Sequence, residues 1–150
     1  RLTEETKVVA GVTLHRIQSL KSFGNVTKGD LGGWIESEAN LSHSGDCWVF
    51  GDAWVFGNAE VFGDARVFGY AVVSGKAMVF GDARVFGDAR VFGDARVFGY
   101  AVVSGGAWVF EDAKVFEDAM VYGYAEVSGD AWVCGDARVH TGTITTGEHK

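Results

Sequence analysis

Proline is absent from the 150 residues, and the chain holds only two cysteines and two methionines. Without proline, polyproline segments and stiff proline-rich linkers are excluded. No run of linker composition divides the sequence either, so one domain is expected. Cys47 and Cys134 lie far apart in the chain. A disulfide framework is therefore not indicated, and a reducing compartment is compatible with the composition. No basic segment leads into an apolar stretch at the start, and no long charge-free apolar run occurs anywhere. These absences argue against a targeting segment and a membrane span, and for a cytoplasmic setting.

Basic excess is missing too. The net charge is −7, and a count by segment places the imbalance in residues 45 to 140, which carry fourteen acidic and seven basic groups. The first 44 residues hold five of each. A protein that grips a phosphate backbone needs a basic stripe, so direct nucleic-acid binding is disfavoured. Histidine is scarce as well: His15, His43, His140 and His149 are too scattered to supply a three-histidine zinc site within one subunit. No Cys-x-x-Cys, glycine-rich phosphate loop or Ser-His-Asp set is present. No catalytic residue, metal ligand or cofactor site is indicated.

What the chain does have is a six-residue phrase, G-D-A-x-V-F, repeated sixteen times from Gly45 to His140 without insertion or deletion. The fifth position is Val in all sixteen units and the third is Ala in fifteen, Cys47 being the exception. Residues two apart lie on one side of an extended strand, so Ala-x-Val points a small and a medium apolar group into a common interior. The first position is Gly in fourteen units, with Glu111 and Glu117 as exceptions, and Asp or Asn usually follows. Gly followed by Asp or Asn is turn chemistry. Each unit reads as one short strand and one corner. A strand this short buries nothing alone, so the units must stack. Three units make a triangular coil of eighteen residues. Five coils and a fraction at a strand spacing of about 4.8 Å form a rod roughly 25 Å long.

Residues 1 to 44 read as an N-terminal cap, 45 to 146 as the β-helix and 147 to 150 as a tail. In the cap, Val12, Leu14 and Arg16 alternate with Thr13, His15 and Ile17 as in a strand. Phe23, Leu31, Trp34 and Ile35 offer bulk to cover the first coil, with Gly24, Gly32 and Gly33 at turns. Ala39 and Leu41 form a degenerate unit set off by His43 and Ser44. Beyond the array, Thr143 and Thr145 fall in the Ala and Val columns, as though the last coil fades into polar residues.

The spacing of Val49 to Ala53 and of Val55 to Ala59, an aliphatic residue followed four positions later by a small one, resembles the hexapeptide repeats of left-handed β-helix proteins. With the leader KGDLGGWIESEANLSHSGDCWVFG, Lys28 to Gly51, the array is most similar to bacterial and phage-encoded proteins of uncharacterised function that carry G-[DN]-A-x-V-[YFS] repeats. The resemblance covers nearly the whole chain. It implies an all-β, single-stranded, triangular parallel β-helix, left-handed, from a bacterial or phage-infected cell. The hexad by itself is compatible with either hand.

The second and fourth columns point outward, and there the candidate binding residues lie. Five Asp residues are followed two positions later by Arg, as in Asp64 with Arg66 and Asp82 with Arg84, and same-side neighbours of opposite sign can pair. Asp46, Asp52, Asp118 and Asp130, with Glu111 and Glu117, have no such partner. Stacking by eighteen sets Trp48 over Arg66, Trp108 beside Arg90 and Trp132 beside Lys114, with Trp54 next to Val72. In the sixth column, Phe50, Phe68 and Phe86 fall in one row and Phe62, Phe80, Phe98 and Phe116 in another. Tyr70, Tyr100 and Tyr124 accompany Ser74, Ser104 and Ser128 at spacings of thirty and twenty-four residues, which do not put them on one face.

Three functions are compatible with this inventory. A non-enzymatic, rigid binding or scaffold module would use the outward Trp and Phe set for a protein partner or for a homodimer or homotrimer. An acidic inhibitor of the phage anti-defence kind would use rows of Asp to imitate a phosphate backbone. An acyltransferase is the third, because left-handed β-helices include such enzymes. These rely on a histidine base and inserted loops, whereas the array has no insertion and only His140. The first is the expectation.

Overall fold

A computed structural model describes all residues 1 to 150. The chain opens with strands β1 (Leu2–Val9), β2 (Val12–Gln18) and β3 (Leu31–Ile35), then a 3-10 turn over Glu38–Asn40. Sixteen two-residue strands follow, β4 (Trp48–Val49) to β19 (Arg138–Val139), one for each repeat at its fourth and fifth positions. Two more, β20 (Thr143–Ile144) and β21 (Glu148–His149), close the chain. From β4 onward every third strand pairs in parallel, which builds three sheets. The result is a parallel β-solenoid of about six turns.

The backbone chemistry of one unit explains the whole rod. Between coils, Asp64 N–H donates to Gly81 O at 2.8 Å, Arg66 N–H to Ala83 O at 3.0 Å and Phe68 N–H to Val85 O at 3.0 Å. The same three bonds recur up the array, so the backbone of each coil is satisfied by the next. The Val column is fully buried through Val133, and the Ala column is buried throughout. These small side chains fill an interior too narrow for anything larger at most levels. At the corners the first-position glycines sit at positive φ, and a Cβ on Gly63 would come 2.9 Å from Gly81 N in the next coil. Glu111 and Glu117 hold the same left-handed conformation, φ +58° and +59°, without being glycine.

The cap differs from expectation in its details. β1 and β2 form an antiparallel hairpin, β2 pairs antiparallel with β3, and β3 pairs in parallel with β5 (Trp54–Val55). The leader therefore extends one sheet of the rod as well as covering its end. Leu14 and Ile17 are both buried although three apart, because the register slips between Arg16 and Gln18 and breaks the expected alternation. Leu31 is exposed and covers nothing. Gly32 and Gly33 are strand residues of β3 and not turn residues. They are small because a Cβ on either would run into the coil below, at Val49 O or Ala53 O. The degenerate unit does enter the rod: Leu41 bridges Val61 in parallel.

The buried Asn40 fastens this junction. Its Oδ1 accepts the N–H groups of Glu36 and Ser37 at 3.1 and 2.9 Å, and its Nδ2 donates to Gly57 O and Ala59 O at 3.1 and 2.8 Å. At the other end the column count fails by one residue. Ile144, not Thr145, pairs with Val127, because shortening the corner by one lets the apolar side chain take the inward place. Strand β21 pairs with β18 (Trp132–Val133), so the residues expected as a tail carry the last strand. No helix is long and apolar enough to cross a membrane.

Candidate interaction surface

Each outer face of the prism carries three rows, from positions two, four and six of the repeat. The fourth and sixth rows touch. Phe62, Phe80, Phe98 and Phe116 stack face to face at 4.7 to 5.0 Å with planes within 3° of parallel. Phe68 and Phe86 stack at 4.7 Å, and Phe92 and Phe110 at 4.9 Å. All of these rings are half-buried against their neighbours. The rows act as lateral ladders, each pair contributing about 0.5–1.5 kcal/mol beyond area burial.

The candidate tryptophans divide into two pairs. Trp48 is only 7% exposed and is not a surface residue. It stands in register with Arg66 but packs edge-on to Phe23 of the cap, at 5.7 Å. The non-repeating leader buries it, which column counting within the array does not reveal. Trp54 is half-buried beside Trp34, with Lys7 Nζ 5.0 Å from its ring and 4.3 Å from that of Trp34. Trp108 and Trp132 are the exposed pair, at 37% and 42%. Arg90 lies 5.7 Å from the Trp108 ring and Lys114 5.4 Å from the Trp132 ring, the partners that stacking by eighteen assigns. Phe92 and Phe110 brace Trp108 edge-on at 6.0 and 6.5 Å, and Phe116 braces Trp132 at 5.8 Å. Phe50 stands edge-on to Phe68 at 6.2 Å.

Asp46, Asp52, Asp118 and Asp130 are all exposed. The expected Asp–Arg pairs do not form: the ion pairs of the chain are Arg16 with Glu5 at 3.6 Å and Lys150 with Glu148 at 3.1 Å. The corner carboxylates face water or nearby backbone, as where Asp64 accepts the Asp46 N–H at 3.0 Å. On one face Asp94, Asp112 and Asp130 share a shallow groove of about 400 Å³ with Arg96, Lys114 and Trp132.

Tyr70 and Tyr124 do share a corner, three coils apart, because their units both feed the nine-stranded sheet; Tyr100 lies on another corner. Tyr124 is 86% exposed and lies over Gly106, where a Cβ would meet its ring at 2.8 Å. The missing side chain at Gly106 makes room for that ring.

Both thiols are free and buried. Burial pushes the Cys47 thiol up to about 11, and its S–H is within donating distance of the carbonyl oxygens of Ser42 and Val61, at 3.4 and 3.6 Å. Burial, with Glu148 beside it, also raises Cys134. Neither is a nucleophile at neutral pH. Sequence reasoning missed a cavity of about 360 Å³ between the leader and the first coil, bordered by Ile17, Phe23, Ile35, Leu41, Cys47 and Trp48. Only the leader's packing creates it.

A YdcK beta solenoid repeat model matches residues 59–75 and 89–105. Both stretches end on the same phrase, Gly-Tyr-Ala-Val-Val-Ser-Gly. Over these coils the chain is similar to the YdcK-type β-solenoid. A curated relative, described as an uncharacterized acetyltransferase YdcK of Escherichia coli (strain K12), is 33% identical over 58 residues. That match covers 33% of this chain and 18% of the relative, so the chain spans a small part of that protein's length.

Proposed function

We propose that the chain is a rigid, non-catalytic binding module that presents Trp108 and Trp132 to a protein partner. The observation that carries this reading is their setting. Both indoles are partly exposed to water, yet Trp108 is held edge-on by two phenylalanines and Trp132 by one, each with a cation beside it on a hydrogen-bonded scaffold. Aromatic side chains already fixed in place lose little freedom on binding and are enriched where interface energy concentrates. Trp108 and Trp132 stand on two different faces of the same prism, one in the nine-stranded sheet and one in a six-stranded sheet.

The test is affinity capture from bacterial lysate with the wild type and with a Trp108→Ala, Trp132→Ala variant, bound proteins being quantified by mass spectrometry. A protein held by the wild type and depleted about tenfold or more by the variant is expected. Identical protein sets from both would refute the reading.

The likeness to a protein described as an acetyltransferase favours a second reading, acyl transfer. His140 is exposed and stacks obliquely on Tyr122 at 5.5 Å. Acetyl-coenzyme A turnover that disappears on His140→Ala would replace the first reading with this one. The acidic-inhibitor reading is supported by the exposed, unpaired Asp column, and it requires a partner complex that weakens steeply with salt.

A further inference from the structure

The phenylalanine ladders are parallel within 6° at every contact except one. Phe50 turns 84° from Phe68, and where the ladder breaks a hollow of about 250 Å³ opens, lined by Asn25, Phe50, Arg66, Phe68 and Arg84. The leader supplies one wall: Arg66 Nη2 lies against Gly24, 3.4 Å from where a Cβ would stand.

Arg66 and Arg84 are direct neighbours on adjacent coils, in register in one parallel sheet. Like charges so placed repel, and neither side chain has an ion pair or a hydrogen bond within the protein. Arg96 and Lys114 are also in register, but Asp94 and Asp112 line their groove. No carboxylate lines the hollow of Arg66 and Arg84, although the chain as a whole is strongly acidic.

We propose that this hollow binds a phosphate monoester bearing an aromatic ring. Two neighbouring guanidiniums match a dianion, because each presents a planar fork of donors suited to phosphate oxygens. The face and edge offered by Phe68 and Phe50 accommodate a ring. An anion held between the two arginines also offsets the repulsion between them. The site lies on a different face from Trp108 and Trp132 and stands whether or not those residues bind a protein.

The experiment is titration of the whole chain with phenyl phosphate, inorganic phosphate and phenol at physiological salt, followed by calorimetry or by NMR shifts. Phenyl phosphate saturates, inorganic phosphate binds about threefold more weakly or worse, and phenol does not saturate. Arg66→Gln and Arg84→Gln each weaken phenyl phosphate by about tenfold or more. Arg138→Gln, on the same sheet but outside the hollow, changes nothing. Thermal unfolding of the variants checks that they fold. Adenosine monophosphate and O-phosphotyrosine, titrated in parallel, distinguish a nucleotide from a phosphorylated side chain as the source of the group. Lack of saturation, equal affinity for phenyl and inorganic phosphate, or binding unchanged in the Arg66→Gln, Arg84→Gln double variant would each overturn the assignment.

Discussion

Replacing Asn40 by alanine removes a leader side chain that makes two hydrogen bonds to the rod and two within the leader. The variant removes the partner of the Ser37 N–H and of the Gly57 and Ala59 carbonyls, whereas the Glu36 N–H keeps its bond to Val55 O at 3.2 Å. Each net bond is worth about 0.5–1.5 kcal/mol, and an orphaned buried group sits at the upper end. Only the bond to Ala59 is wholly buried, and water can reach the others, so the sum is about 3 kcal/mol. For a domain of this size that lowers Tm by roughly 6–12 °C if leader and rod melt together. Asn40→Asp keeps the two acceptor bonds but sets a carboxylate against two carbonyls, and is expected to be at least as damaging. Asn58→Ala, at an exposed corner, should stay within about 0.5 kcal/mol. Denaturant melts give the energies, and hydrogen exchange at the Ser37 N–H reports where protection is lost. A loss under about 1 kcal/mol, or undiminished protection at the Ser37 amide, would refute the view that Asn40 anchors the leader.

Other outcomes follow from the repeat. Glu111→Gly and Glu117→Gly should each stabilise by about 1 kcal/mol, since a side chain in the left-handed region is strained by about 1–2 kcal/mol and glycine is not. Chemical denaturation of the single variants measures it. Gly63→Ala should destabilise more than Gly51→Ala, although both positions have positive φ. The first Cβ meets backbone at 2.9 Å and the second only at 4.0 Å, so the difference in melting isolates contact between coils from local strain. The Cys47 thiol titrates higher folded than unfolded, so its contribution is complete below pH 9 and is lost as pH rises from 9 to about 11. Two pH decades at about 1.4 kcal/mol each set an upper bound of roughly 2–3 kcal/mol. The stability difference between wild type and Cys47→Ala should shrink by up to that amount over the window. Replacing Phe68 and Phe86 by serine breaks two ladder contacts, and light scattering then shows whether those rows also hold copies of the chain together.

The legible part of this molecule is the part governed by period. Val and Ala columns could be assigned to the interior because every coil meets the same neighbours above and below, and one unit's environment is therefore every unit's. The same counting correctly set Arg90 beside Trp108 and Lys114 beside Trp132. It failed wherever something outside the period acts on a column. The leader buries Trp48, a slipped register sends Ile17 inward, and a shortened corner gives Ile144 the place counted for Thr145. The Asp–Arg pairs failed for another reason. Spacing puts two side chains on one side but does not say which way a long one leans, and Arg66 and Arg84 border the phenylalanine row. A strict repeat thus makes its own exceptions informative. Phe50 is turned out of its ladder in the first coil, and a hollow flanked by two arginines with no ion pair opens beside it. Where sixteen near-identical units would give sixteen equivalent surfaces, the junction with the non-repeating leader makes one of them different, and a specific site needs that difference.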